Sequence, residues 1–307
     1  MISKAYTITP DNRYTMEKIL VILGPTATGK SNLAIQLAKK YNGEIISADS
    51  RQIYKGMDLG TGKVSKKEQK IVPHHLLDIA SPKRQFTVAR FKKLAVKAIK
   101  DISQRGRLPI LVGGTAFYIY TVIDDLNLPE VKPDLKLRKE LEVKSELELF
   151  KILKKLDPRR AQNIDSHNKV RLVRAIEIIK SSGNKVPPLR RNKIYDSLII
   201  GLNKPQIALY SAIDKRLEER LNQGMVKEVR KLLTQGVSHK KLETFGLEYR
   251  YISLYLQKKL SYEQMIAELK NAIHRFAKRQ MTWFKKDSRI NWIKTQTQAE
   301  KLLKNFI

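Results

Sequence analysis

An eight-residue stretch near the start of the chain has the residue types and spacing of a phosphate-binding loop, or P-loop. It lies between an apolar run at 19–23, which predicts a strand, and a helix-forming run at 32–38. In such a loop the backbone N–H groups wrap an anion, the lysine reaches terminal phosphate oxygens and the final hydroxyl reaches magnesium. The motif predicts a phosphate or diphosphate site, with Ser31 as a magnesium ligand, and it does not name the reaction. Its residues are Gly24, Pro25, Thr26, Ala27, Thr28, Gly29, Lys30 and Ser31.

A carboxylate after the next apolar run is the second candidate for chemistry. Residues 44–48 predict a short strand, and Asp49 follows it directly. Ligands of open α/β sheets bind at the carboxyl ends of the strands, so we expect Asp49, Ser50, Arg51 and Gln52 to face the same crevice as the P-loop. A carboxylate there can hold magnesium or accept a proton from a substrate, whereas the structural alternative is a cap for the following turn.

Cationic residues are expected around this crevice. Arg171 and Arg174 stand three apart on one predicted helix, which suits a phosphate backbone, although an ordinary solvated helix face has the same pattern. The stretch 277–284 mixes cations with aromatic residues and predicts either stacking on RNA or packing in the core. The candidate cations are Lys30, Arg138, Arg171, Arg174, Arg216 and Arg220.

The charge balance favours a polyanionic partner. The 61 Lys and Arg residues against 30 Asp and Glu residues give a formal net charge of +31, far more than solubility needs.

The composition also excludes some kinds of site. The absence of cysteine excludes disulfides, thiolate metal sites and a cysteine nucleophile. The uncharged stretch 108–123 is short for a membrane span and contains Pro109 and two glycines, so a buried strand and helix explain it better. Without an apolar secretion segment in the first residues, we expect a cytoplasmic protein.

Two further patterns argue against other kinds of site. His74 and His75 are adjacent on a predicted strand, so they point to opposite faces and do not suit one metal ion. No acidic residue follows the predicted strand at 109–112, where motor ATPases carry a magnesium-binding carboxylate. A helicase or other motor is therefore disfavoured, whereas small kinases and group transferases remain compatible.

Strands and helices are predicted to alternate along the first part of the chain. Strands at 19–23, 44–49, 74–79 and 109–112 alternate with amphipathic helices, of which 87–104 is the clearest. This pattern predicts an α/β fold with a P-loop NTPase-like parallel sheet flanked by helices.

The chain is expected to have an interrupted core. Residues 1–15 are predicted to be a flexible arm, and 130–192, with charged helical segments at 134–156 and 168–181, a helical insertion domain. Residues 16–129 and 193–307 then form the core. In its second part, strands at 197–202 and 290–293 flank helices at 207–222, 226–233, 249–258 and 262–284, and a terminal helix follows.

Several ordered motifs carry a resemblance to a known family. After the P-loop come Ser47 to Thr61, His75 to Asp78, Leu111 to Thr115, and further matches at 168–177, 209–216 and 277–284. In these motifs the chain resembles the bacterial tRNA dimethylallyltransferases of the IPP transferase family. The resemblance implies transfer of a dimethylallyl group from dimethylallyl diphosphate to the exocyclic amine of the adenine 3′ to the anticodon, in tRNAs that read codons beginning with U.

The resemblance also implies roles for particular residues. The P-loop would hold the donor's diphosphate with magnesium, Thr26 would contact the leaving oxygen, Arg216 would grip the diphosphate and Asp49 would be the general base. The partners would be dimethylallyl diphosphate and a tRNA anticodon stem-loop, the protein would be a monomer, and the helical insertion would form one wall of the channel for the target base. The residues expected to touch tRNA are Asp49, Ser50, Arg51, Gln52, Thr115, Arg138, Val170, Arg171, Leu172, Val173 and Arg174.

Some alternatives stay open at the level of sequence. The division of labour between Arg216 and Arg220 is undecided, and Tyr249 is a candidate for a tyrosine contact to RNA that the family places slightly earlier. Competing functions are a nucleotide or shikimate-type kinase with ATP in the P-loop, prenyl transfer to a free adenine nucleotide, and a non-catalytic RNA-binding module. The net charge favours a polymeric RNA over the first two.

Overall fold

The computed structural model describes residues 6–8 and 14–307, with side chains from residue 16 onward. The described chain forms two compact units: one comprises the residues up to Asp125 together with Lys193–Ile307, and the other is Leu126–Asn192. The helical insertion predicted for 130–192 falls inside the second unit. The flexible arm predicted for 1–15 lies mostly outside the described residues, and of these only the short strand at 6–8 and the start of the next strand are described.

A parallel sheet forms the centre of the first unit. Its strands follow the order β4-β3-β5-β2-β6-β7, all neighbours in that order are parallel, and β1 pairs antiparallel with the start of β2. The predicted α/β fold with a parallel sheet is confirmed. The strands are β1 (Tyr6–Ile8), β2 (Tyr14–Leu23), β3 (Gly43–Ser47), β4 (His74–His75), β5 (Leu108–Gly113), β6 (Tyr195–Leu202) and β7 (Asn291–Ile293).

The helices agree closely with the periodic segments of the sequence. The helix predicted at 87–104 is present, and the Thr87 hydroxyl caps it by accepting a hydrogen bond from the Arg90 N–H. The helices are α1 (Lys30–Lys40), α2 (Lys66–Gln69), α3 (Val88–Gln104), α4 (Ala116–Ile123), α5 (Leu135–Glu142), α6 (Glu146–Leu156), α7 (Pro158–Gln162), α8 (Lys169–Ser182), α9 (Gln206–Asn222), α10 (Met225–Thr234), α11 (His239–Leu242), α12 (Leu247–Leu256), α13 (Tyr262–Phe284) and α14 (Gln296–Phe306).

Both faces of the sheet are apolar because both are covered by helices. Leu20 and Ile22 of β2 pack in one cluster with residues of α1 and α14. Successive strand residues point to opposite faces, so Ile19 and Val21 point to the side on which α3 and α4 pack. The uncharged stretch 108–123 is indeed a buried strand that leads into a buried helix.

The strand predicted at 74–79 is wrong beyond its first two residues. Leu76 and Asp78 both adopt left-handed backbone angles, with φ of 64° and 56°. The Asp78 carboxylate accepts a hydrogen bond of 2.6 Å from the buried Lys63 ammonium, which also donates to the Tyr54 carbonyl at 2.9 Å. This ion pair joins residues 15 positions apart and lies where the backbone leaves the sheet, so the periodicity of 74–79 alone could not reveal it.

The charged segment predicted at 134–156 forms two helices. Ser145 begins α6 with a capping box, in which the Ser145 hydroxyl accepts from the Glu148 N–H and the Glu148 carboxylate accepts from the Ser145 N–H. The break leaves α5 and α6 free to pack separately against α8.

A buried carboxylate organises the second unit. Glu177 of α8 is fully buried and accepts hydrogen bonds from Arg138 Nε at 2.7 Å, Arg174 Nη1 at 2.5 Å and the Asp134 N–H at 2.8 Å. Burial alone raises the pKa of Glu177, but the hydrogen bonds from Arg138, Arg174 and Asp134 outweigh it and lower the pKa to about 2.

Replacing Glu177 by glutamine is expected to destabilise the protein by about 3–5 kcal/mol, because two guanidinium groups lose their counter-charge. The folded pKa lies below the ordinary 4.5, so this contribution is present above pH 4.5 and is lost as the pH falls towards 2. Urea unfolding at neutral and acidic pH measures both effects. The exposed Glu140 of α5, changed to glutamine, is the control and should shift stability by less than about 0.5 kcal/mol. Equal unfolding midpoints for the two variants would contradict this account.

Candidate active site

The carboxyl ends of three neighbouring strands bring the predicted residues to one edge of the sheet. The P-loop follows β2, Asp49 follows β3, and Gly114 and Thr115 follow β5. The Ala48 N–H donates to the Val112 carbonyl at 2.7 Å, and a Cβ atom on Gly113 would lie 2.2 Å from the Ala48 carbonyl oxygen. The absence of a side chain at Gly113 therefore permits the close approach of the β3 and β5 ends.

The P-loop has the backbone geometry of an anion cradle. Gly24 has a φ of 145°, and a Cβ atom there would lie 2.3 Å from the Leu202 carbonyl oxygen, so this position requires glycine. The Lys30 ammonium donates to the Pro25 carbonyl at 2.5 Å, across the loop. Burial and the nearby Arg216 charge lower the pKa of Lys30 to about 7, and Asp49 opposes this shift. A buried ammonium with so little compensating negative charge favours an anionic ligand.

The structure gives Arg216 and Arg220 different contacts. Arg216 Nη1 donates to the Thr26 hydroxyl at 3.4 Å and Nη2 donates to the Gly62 carbonyl at 3.0 Å. Burial and the Arg220 charge lower the pKa of Arg216, with Glu248 and Asp49 opposing. Arg220 points elsewhere: Nη1 donates to the Leu59 and Gly60 carbonyls and Nη2 to Glu248. Arg216 is thus the guanidinium directed at the P-loop.

Asp49 is half-buried and held by its own turn. Its Oδ1 accepts a hydrogen bond of 2.8 Å from the Arg51 N–H, so the capping role considered from sequence is present. Among the described residues the carboxylate has no further hydrogen-bond partner, which leaves Oδ2 available to a substrate. The neighbouring Ser50 N–H donates to the Thr115 hydroxyl at 3.3 Å. Asp49 and Thr115, both predicted to face tRNA, are therefore brought together.

The predicted Gln52 is tied to a glycine-rich loop. Gln52 Oε1 lies 3.0 Å from the Ser47 hydroxyl, and Nε2 donates to the Gly62 carbonyl at 3.3 Å. The same carbonyl accepts from Arg216. Gln52 therefore supports the loop that positions Arg216.

Glu228 of α10 holds this same loop and has no obvious sequence signal. Its carboxylate accepts hydrogen bonds from the N–H groups of Asp58, Leu59 and Gly60 at 2.9, 2.7 and 3.0 Å. The Tyr249 hydroxyl also donates to it, at 2.7 Å, and the Tyr249 ring is buried. Tyr249 is therefore unavailable as a tyrosine contact to RNA in this structure.

The stretch 277–284, for which the sequence predicts either stacking on RNA or packing in the core, contains both buried and exposed residues. Ala277, Gln280 and Phe284 lie on the buried face of α13, whereas Trp283 is 48% exposed. The signal that distinguishes Gln280 is a polar residue within a buried stripe at helical spacing. Its side chain contacts both the P-loop and the loop after β5.

The second unit contains the remaining residues predicted to touch tRNA. Val170 is 79% exposed and Arg171 is also exposed. Leu172 and Val173 are instead buried in the core of this unit, so their side chains pack inward, and their predicted contact with tRNA stays a prediction. Successive residues of a helix point in different directions around its axis. The two residues that follow the exposed Arg171 therefore face the core of the unit. Arg138 and Arg174 direct their guanidinium groups to Glu177.

His74 and His75 each have their own hydrogen-bond partner. His74 Nδ1 lies 2.8 Å from the Val72 carbonyl, and His75 Nε2 lies 2.7 Å from Glu44, so the two histidines have separate structural partners. No group of three His, Cys, Asp or Glu residues suited to a metal ion occurs among residues 16–307. Of the helices described, none has both the length and the apolar character that a membrane span requires.

The parallel sheet, with a glycine-rich loop and its lysine between the central strand β2 and helix α1, places the chain in the class of P-loop α/β proteins. A family model described as IPP transferase matches residues 52–287. The chain belongs to the IPP transferase family. This confirms the resemblance seen in the motifs and the prediction of a transferase enzyme.

Relatives and solved structures agree over nearly the whole chain. The chain is 41% identical over 307 residues to a tRNA dimethylallyltransferase of Acetivibrio thermocellus, covering 95% of this chain and 96% of that protein. It is 44% identical over 293 residues to tRNA dimethylallyltransferase 2 of Citrifermentans bemidjiense, covering 92% and 94%.

Two solved structures have the same fold. The tRNA isopentenylpyrophosphate transferase of Bacillus halodurans has a TM-score of 0.69 and 37% identity, covering 94% of each chain. A eukaryotic dimethylallyltransferase described as acting on tRNA has a TM-score of 0.75 and 29% identity, covering 87% of this chain and 69% of that one.

Proposed function

We propose that this protein transfers a dimethylallyl group from dimethylallyl diphosphate to the exocyclic amine of the adenine 3′ to the anticodon, in tRNAs that read codons beginning with U. The observation that carries the proposal is the meeting of a P-loop with Arg216 on one side and the Asp49 carboxylate on the other, within one edge of the sheet. Family membership and the net charge of +31 support a transferase that acts on RNA. We further propose that it acts in the cytoplasm as a monomer.

The chemistry requires one bond to break and one to form. The carbon–oxygen bond of the donor breaks and its electron pair leaves with the diphosphate, while the adenine nitrogen forms a bond to the same carbon and loses a proton. Lys30, the P-loop N–H groups and Arg216 bind the charge that grows on the leaving diphosphate, and Thr26 contacts the leaving oxygen. Asp49 accepts the proton through its free oxygen. An adenine amine is a weak nucleophile, so alignment of donor and acceptor contributes as well.

The site suits a magnesium ion that binds together with the diphosphate of the donor. The Ser31 side chain lies exposed at the start of α1 and makes no hydrogen bond among the described residues. Magnesium is usually held by one or two protein oxygens together with substrate phosphates and water. We propose Ser31 as that ligand; when bound, the ion neutralises charge on the diphosphate.

The tRNA is proposed to reach the site along two groups of residues. Residues 49–52 and Thr115 lie at the carboxyl edge of the sheet, where the target base would enter after leaving the anticodon stack. In the second unit, Val170 and Arg171 are the members of the predicted set whose side chains are exposed. Arg138 and Arg174 are only partly buried beside Glu177 and can present their outer N–H groups to phosphates.

One incubation separates this function from its competitors. Unmodified tRNA is mixed with the protein and either dimethylallyl diphosphate or ATP, and the RNA nucleosides are analysed by mass spectrometry. We expect a gain of one dimethylallyl group on a single adenosine with the prenyl donor and none with ATP. Free adenosine monophosphate, offered as the acceptor in a parallel reaction, should remain unmodified. Phosphate transfer from ATP without prenylation would overturn the proposal in favour of a kinase.

A further inference from the structure

Gln280 joins two loops of the active site through one side-chain amide. It lies on the buried face of α13 and is 8% exposed. Its Oε1 accepts a hydrogen bond of 3.0 Å from the Thr26 N–H, and its Nε2 donates one of 2.8 Å to the Gly114 carbonyl. Both polar atoms of a buried amide are thus satisfied by backbone groups of different loops.

In the proposed reaction, one of these loops contacts the diphosphate of the donor and the other lies next to the residues that receive the adenine. Thr26 belongs to the P-loop and its hydroxyl contacts Arg216, so it lies on the side of the departing diphosphate. Gly114 precedes Thr115, whose hydroxyl accepts from the Ser50 N–H next to Asp49, so it lies on the side of the base. A Cβ atom on Gly114 would lie 2.4 Å from Gln280 Nε2, so a side chain at this position would displace the amide from its hydrogen bond.

We propose that Gln280 is a positioning residue that sets the separation between the diphosphate cradle and the groups that receive the adenine; this inference rests on the function proposed above. Bond formation needs the prenyl carbon and the adenine nitrogen in a narrow range of distance and direction, and small displacements are costly. A single rigid amide on a long helix holds both loops relative to one another, where two separate contacts would let each move alone. Gln280 touches neither substrate in this account.

The two hydrogen bonds that Gln280 makes to the loops require a side-chain amide. They need one acceptor for the Thr26 N–H and one donor for the Gly114 carbonyl, and glutamine supplies both. An ionised glutamate supplies the acceptor but places a negative oxygen against the carbonyl. A protonated glutamate restores the donor, and burial beside a carbonyl raises the pKa of such a carboxyl group. Methionine has a similar shape and supplies neither group.

These differences define the test. Gln280→Met is expected to lower kcat for tRNA prenylation by about 10²-fold, with the KM for dimethylallyl diphosphate and the Kd for tRNA changed less than about threefold. Gln280→Glu should be impaired at about pH 8, and its kcat relative to the parent enzyme should rise as the pH falls to about 6. The ratio for Gln280→Met should stay flat. Asn271→Met, an apolar substitution on the exposed face of the same helix, is the control.

Hydrogen exchange provides a readout that does not depend on turnover. In Gln280→Met, the backbone amides of 24–31 and of 113–116 should exchange about tenfold faster, both together, while thermal unfolding remains cooperative. A folded Gln280→Met protein with parental kcat and parental exchange in both loops would overturn the inference. If the parent enzyme itself fails to prenylate tRNA, the proposed function fails, and the exchange result alone then decides whether Gln280 holds the two loops together.

Discussion

The Asp49→Asn variant is expected to turn over about 10²–10⁴-fold more slowly than the parent enzyme while binding tRNA with nearly unchanged affinity. Asparagine keeps the shape of the side chain, and its Oδ1 can still accept the hydrogen bond from the Arg51 N–H that holds the turn. The substitution therefore removes the proton acceptor and leaves the local backbone in place. Single-turnover prenylation and a separate tRNA binding measurement give the two quantities.

A second aspartate offers a matched control for this variant. Asp165 of the second unit is exposed, and it likewise accepts a hydrogen bond, of 3.1 Å, from the N–H of the residue two positions ahead, His167. Asp165→Asn should leave turnover within about twofold of the parent, because it tests the same turn chemistry away from the P-loop. Parental turnover in Asp49→Asn would remove Asp49 from proton transfer. Equal losses of tRNA binding and turnover would make it an RNA contact only.

Arg216→Gln is expected to lower turnover by about 10²–10³-fold, through loss of a charged donor aimed at the leaving diphosphate. The guanidinium reaches both the Thr26 hydroxyl and the Gly62 carbonyl, is partly buried, and lies near a second cation, Lys30. Removing it should also weaken the binding of inorganic diphosphate, which calorimetry measures without any reaction.

The same substitution at Arg220 separates the two arginines. Arg220 donates to the carbonyls of Leu59 and Gly60 and to Glu248, so its hydrogen-bonding groups serve the loop and not the P-loop directly. We expect Arg220→Gln to lower turnover less than about tenfold and to affect thermal stability more than Arg216→Gln does. A larger loss of turnover and of diphosphate affinity at Arg220 would reverse the assignment. This comparison answers the question that the sequence left open.

The Glu228 carboxylate explains how a loop without regular structure can hold Arg216 steadily. Three consecutive N–H groups of 58–60 donate hydrogen bonds to this carboxylate, and two carbonyls of the same loop accept hydrogen bonds from Arg220. The loop therefore binds an anion through its N–H groups and cations through its carbonyl groups, and the Gly62 carbonyl accepts a hydrogen bond from Arg216. Each of these contacts joins residues more than 150 positions apart.

The amino-acid sequence by itself determined the parts of this protein that depend on short stretches of chain. The P-loop between β2 and α1, the helices α3, α9 and α13, and the buried strand β5 all follow from periodicity, capping and glycine placement over fewer than about 25 residues. Asp49 could be chosen as a candidate because the end of a parallel strand is a known place for ligands. The ordered motifs then sufficed to identify the family.

Only the tertiary structure decided which side chains face which partners. It turned the chain after His75, directed Arg138 and Arg174 to Glu177, and buried Leu172 and Tyr249. It also brought Glu228 and Gln280 to the active site: Glu228 has no obvious sequence signal, and Gln280 is marked only as a polar residue within an apolar stripe of α13. The physical reason is that a hydrogen bond or ion pair between distant segments leaves no periodic trace in either segment: the order of residues specifies each helix and strand, and their packing specifies which polar atoms meet.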